Sequence, residues 1–93
     1  MPYDKKLMKS LQGKPCICCG STYGTVAHHV KSVGSGGSNN PHNLMVLCFL
    51  SHRLVHDKGL WELSKNDNIY NWLSDNDWYI GEMENKWFHS LEN

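Results

Sequence analysis

The chain has 93 residues, of which 40% are apolar, with nine Lys/Arg against nine Asp/Glu. That length predicts one small domain over residues 1–93, with a core modest enough to gain from a metal or a disulfide, and a net charge of zero speaks against a strong nucleic-acid binder acting through charge alone. No stretch is apolar for long enough to cross a bilayer and the first residues lack a signal peptide's apolar run, so a cytoplasmic protein with reduced thiols and no membrane partner is expected.

In chain order, residues 3–12 suit a short helix, stopped by Gly13 and Pro15. Cys16, Ile17, Cys18, Cys19 and Gly20 then read as a tight turn. Residues 23–30 carry the β-formers Tyr, Thr and Val and predict a strand. Residues 34–41 form a Gly/Ser/Asn loop, which between two informative segments is expected to be structured. Residues 44–47 are an apolar run that fits a buried strand, and residues 51–58 a helix ended by Gly59. Ser51 is well suited to cap that helix. Residues 60–73 read as helix in two pieces, split near Asn66, Asp67 and Asn68, and residues 60–93 are expected to extend the domain in helical form. Trp61, Trp72, Trp78 and Trp87 are expected in or against the core, because so small a domain has few other large apolar groups. His42 and His89 have no supporting neighbours in sequence and are read as solvated.

Chemistry gathers at two places. His52 and His56 are four apart, so on a helix their imidazoles share one face and can share one divalent metal. His28 and His29 are adjacent, so on a strand they point to opposite sides and take different tasks, or one sits at a strand end where the alternation breaks. The Cys16-x2-Cys19 pair has the spacing of half a structural zinc site, with Cys48 a natural third ligand.

The order His28-His29-Val30, Gly-rich loop, Asn43-Leu44, Leu47-Cys48 and His52-x3-His56 resembles the ββα-metal motif of HNH endonucleases. Its histidine-rich form is similar to that of colicin-type DNases, and residues 27–48 resemble the small HNH proteins of bacteriophages and their hosts. The resemblance covers roughly residues 14–80 and implies an α+β fold: a ββα-metal (HNH, His-Me finger) core over about 14–60 with flanking helices. It implies a DNA phosphodiesterase. His29 would be the general base, a task that an imidazole titrating near neutral pH suits. His28, His52 and His56 would hold the catalytic divalent metal, whether Mg, Mn, Ni or Zn, and Asn43 would brace the loop that aims His29.

Similar proteins carry a Cys or His just before the first helix histidine, where this chain has Ser51. The zinc site is therefore left with Cys16, Cys19 and Cys48, completed by water or by Cys18, or else stays metal-free. Residues 1–58 hold seven basic groups to two acidic ones, and residues 59–93 two to seven. Within the basic part, Arg53 and Lys31 are candidates to contact DNA phosphates. The zero net charge also fits a subunit whose DNA affinity comes from a protein partner in a DNA-processing complex, or a catalytically weak HNH-fold binding module.

Overall fold

The computed structural model describes residues 5–92. Helix α1 spans Lys5–Leu11 and buries Met8; Tyr3 and Asp4, the start of the expected helix, lie outside the described residues. Thr25, itself buried, anchors the end of this segment by accepting the Gly13 N–H at 2.8 Å.

Strand β1 (Val26–His29) pairs antiparallel with β2 (Leu44–Leu47), with His28 opposite Met45 and His29 opposite Leu44. The expected strand over 23–30 is shorter at its start. Gly24 adopts φ +58°, and a Cβ there would come within 3.1 Å of the Phe49 Cβ, so the chain turns sharply where a side chain would not fit.

The connection from β1 to β2 is structured, as its position suggested. It contains two short 3-10 turns, Val33–Ser35 and Pro41–Asn43. Gly37 is obligatory for its course, because a Cβ would lie 1.8 Å from the Lys31 carbonyl oxygen.

Helix α2 (Phe49–Lys58) follows β2 directly and starts two residues earlier than expected. The residue that caps it is Cys48, whose Sγ accepts the Ser51 N–H, so Ser51 sits inside the first turn and is not the cap. Gly59 ends the helix at φ +89°. Two helical pieces come next, α3 (Leu60–Leu63) and α4 (Asp67–Asp75), divided as the sequence indicated. Asn66 caps α4 by accepting the N–H groups of Asn68 and Ile69.

Beyond α4 the expectation of a helical extension fails. Strands β3 (Tyr79–Ile80) and β4 (Trp87–Phe88) form an antiparallel hairpin. Asp77 and Met83 take positive φ values of 68° and 62°, which break the helix and turn the hairpin. Gly81 lets the two arms close, since a Cβ there would meet the Phe88 ring at 2.1 Å.

One core joins these parts: Met45 and Leu47 of β2, Val55 of α2, Leu63 of α3, Ile69 and Leu73 of α4, and Trp78 and Trp87, with Trp61 and Trp72 packed against it. The domain is thus α+β, and the β1-β2 pair and α2 are fixed to one apolar centre. No helix among the described residues is long and apolar enough to cross a membrane.

Candidate metal centre

Alternation along β1 separates the two adjacent histidines. His28 turns toward α2, where its ring centroid lies 5.4 Å from that of His52 and 5.3 Å from that of His56. One ligand nitrogen from each of the three rings lies within 4.8 Å of the others. The Nε2 atoms of His52 and His56 are 3.1 Å apart. Two imidazoles on one tetrahedral zinc, each at about 2.0–2.1 Å, would place their nitrogens about 3.3 Å apart. The donor set therefore fits a divalent metal both in chemistry and in spacing.

Electrostatics favour the ligand form of His28 and His52. Burial first, then the neighbouring imidazoles, pushes His28 down to about 4. Burial, then His56, also lowers His52. A neutral imidazole offers a lone pair, which a metal needs. A stability test follows from the sign. With the folded pKa of His28 near 4 and its ordinary value at 6.5, the unfolded chain takes up the proton first as pH falls. Metal-stripped protein is expected to lose stability between about pH 6.5 and pH 4 and to change little on this account below that. Denaturant titrations at stepped pH check this, and bound divalent metal should suppress the loss.

His29, on the other side of β1, is held by a residue that sequence reasoning missed. Its Nε2 lies 2.9 Å from Asn39 Oδ1. An amide oxygen only accepts, so Nε2 carries the proton and Nδ1 carries the lone pair of the neutral ring. Asn43 is fully buried, and its side chain is spent on the loop. Its Oδ1 accepts the Lys31 N–H at 2.7 Å, and its Nδ2 donates to the carbonyls of Lys31 at 3.0 Å and Ser38 at 2.8 Å.

The cysteines form a second group. Sγ atoms of Cys16, Cys19 and Cys48 lie within 4.8 Å of one another, and those of Cys19 and Cys48 are 3.6 Å apart. Thiolates on one zinc at about 2.3 Å would be about 3.8 Å apart, so these three also fit a tetrahedral metal. Ser51 Oγ approaches at 3.7 Å from Cys16 Sγ and 3.4 Å from Cys48 Sγ, which puts a hydroxyl beside two of the three sulfurs. Ser51, through its hydroxyl and then its backbone N–H, outweighs burial and brings the Cys48 thiol down to about 7. Cys18 lies outside the group; its carbonyl accepts from Asn68 Nδ2 at 3.0 Å and ties the turn to α4. Replacing this hydroxyl with a thiolate is expected to tighten zinc. Ser51→Cys should raise zinc content per chain and the melting temperature, and Cys18→Ser should leave both near wild type. Elemental analysis decides, and zinc lost in Cys18→Ser would mean that Cys18 is a ligand.

The two candidate phosphate contacts differ. Arg53 projects from α2 into solvent, with only a loose approach of 3.8 Å to Asp57. Lys31 is engaged instead: its ammonium donates to the Glu92 carbonyl at 2.7 Å. The reading of His42 and His89 as solvated is overturned. His89 is 4% exposed, donates from Nε2 to the Asn76 carbonyl at 2.9 Å and accepts the Leu91 N–H on Nδ1 at 3.1 Å. Its ring stacks on His42, with centroids 4.1 Å apart, and His42 pairs with the Glu92 carboxylate. Both are structural parts of a buried polar cluster that chain order does not reveal.

The family comparison agrees with this geometry. Residues 16–58 match the HNH family model, described as HNH endonuclease, so that segment is similar to that family. The match runs from the first cysteine of the thiol group to the end of α2 and so takes in His28, His29, Asn43, His52 and His56. Nuclease or nucleic-acid chemistry is the class this defines. No curated protein and no solved structure matches the chain.

Proposed function

We propose that the protein is a metal-dependent HNH endonuclease that hydrolyses phosphodiester bonds in DNA. The observation that carries this reading is the division of labour across β1: three imidazoles converge on one side, within 4.8 Å of one another, and a fourth, held by an amide, stands on the other. Under this reading β1, β2 and α2 are the ββα-metal core.

His28, His52 and His56 hold the divalent metal, which when bound supplies charge for a scissile-phosphate oxygen and for the departing 3′ oxygen. His29 takes the proton of the attacking water. With Nε2–H given to Asn39, the accepting atom is Nδ1. As the ring becomes cationic, the Asn39 oxygen stabilises it. Asn43 keeps the loop in register with β1 through its three backbone contacts. Arg53, exposed on the helix that carries two ligands, is suited to a DNA phosphate. The thiol group, with zinc, fixes the turn at residues 16–20 to the start of α2.

Supercoiled plasmid tests the reading. Stripped protein should be silent, and cleavage should return with at least one of Mg²⁺, Mn²⁺, Ni²⁺ or Zn²⁺. Retention of DNA without cleavage under every metal would favour the alternative, an HNH-fold binding or accessory subunit in a DNA-processing complex.

A further inference from the structure

We propose that Glu92 is a positioning residue for His29, acting through the loop between β1 and β2. The inference rests on the nuclease reading for its catalytic consequence, and on the following contacts for its geometry.

Glu92 belongs to no helix or strand, yet its side chain is 1% exposed. Burying a carboxylate is costly unless its oxygens are satisfied. Among the described residues, the carboxylate's partners lie in one loop. Oε1 accepts the Ser38 N–H at 2.9 Å. Oε2 accepts the Ser38 hydroxyl and pairs with His42 Nε2. The titratable groups facing it are therefore His42 and, through its own carbonyl, Lys31. His89, stacked behind His42, is committed as a neutral ring by its two backbone contacts. Burial alone would raise the carboxyl, but Ser38 and then His42 outweigh it and hold it below the usual range, so it is ionised.

From Ser38 the chain of contacts to His29 is short. The Ser38 carbonyl accepts Asn43 Nδ2, and the next residue, Asn39, holds the His29 ring. The loop itself is poorly suited to hold a rigid shape, because residues 34–40 are Gly, Ser and Asn only. A carboxylate 54 residues away in sequence clamps it at Ser38. A purely structural staple would support the fold without affecting which His29 nitrogen bears the proton. A clamp on the Asn39 segment must affect it.

The test reads both the ring and the reaction in the full-length protein. In nitrogen-15 spectra of the histidine rings, wild-type His29 should be the Nε2–H tautomer. Glu92→Ala should mix the tautomers, as should Asn39→Ala, which removes the last contact directly. In cleavage of a DNA duplex, Glu92→Ala should lower kcat by about 10- to 100-fold, the usual consequence of a misaimed group. KM and divalent-metal affinity should stay within about twofold, since neither substrate nor ligands are touched. Glu92→Gln, which keeps the acceptor for the Ser38 N–H, should fall between. Ser38→Ala leaves the Glu92 backbone anchor in place, and it should mix the tautomers even if Glu92→Ala fails to fold. An unchanged His29 spectrum in Glu92→Ala or Ser38→Ala would overturn the proposal, as would a kcat loss matched by an equal loss of metal affinity. Wild-type protein that cleaves no DNA, yet shows the tautomer change, would sink the nuclease reading and leave the clamp standing.

Discussion

His29→Ala is expected to lose about 100- to 10,000-fold in cleavage rate, the span that a positioned general base typically contributes. The substitution removes the imidazole on the far side of β1 from the three-histidine group, so metal affinity should be retained. Its Cα partner Leu44 and the hydrogen-bonded register of β1 with β2 do not depend on the ring, so the fold should be retained too. Asn39, which loses that contact, is only partly buried and lies outside the apolar core. Single-turnover cleavage, with metal occupancy measured on the same samples, checks the result. Activity within a few-fold of wild type would remove His29 from the base role.

His56→Ala should have the second large effect, and its signature is the opposite one. The side chain is exposed at the end of α2 and contributes one of three nitrogens that lie within 4.8 Å. Loss of a residue that merely supports a ligand costs about 10- to 100-fold in metal affinity, and loss of a ligand should cost at least that. Cleavage at limiting metal should fall in proportion and recover in part at high metal. The thermal stability of the stripped protein should not fall, because an exposed ring is removed from a crowded group of imidazoles. Calorimetry with Ni²⁺ or Mn²⁺ measures the affinity. Unchanged binding would assign His56 to solvent.

How much of this site the sequence disclosed follows from the range of the contacts involved. The i,i+4 pair His52/His56 and the alternation of His28 with His29 are local consequences of helix and strand geometry, so spacing alone indicated them. The cysteine trio needed one long-range step, from the turn at 16–20 to the start of α2, and the family order supplied it. Ser51 was misassigned as a helix cap because two apolar residues, Phe49 and Leu50, precede it; both are exposed in the first turn of α2, and the Cys48 sulfur caps instead. Asn39 was legible only as a turn residue, since nothing in an Asn-Asn pair says which side chain reaches back ten positions. Glu92, His42 and His89 were invisible for the same reason at greater length. The hairpin over 79–88 escaped notice because strands of two residues are too short to show alternation.

If the three-histidine group is the metal centre at which DNA is cut, metal binding and cleavage must track one another when Mn²⁺ or Ni²⁺ is titrated into stripped protein and both are followed in the same samples. Cleavage should rise in step with filling of one site, His56→Ala should shift both to higher metal concentrations, and Cys16→Ser, if it stays folded, should keep the histidine site's stoichiometry. Cleavage that saturates while this site is still empty, or that persists undiminished in His56→Ala, would contradict that assignment.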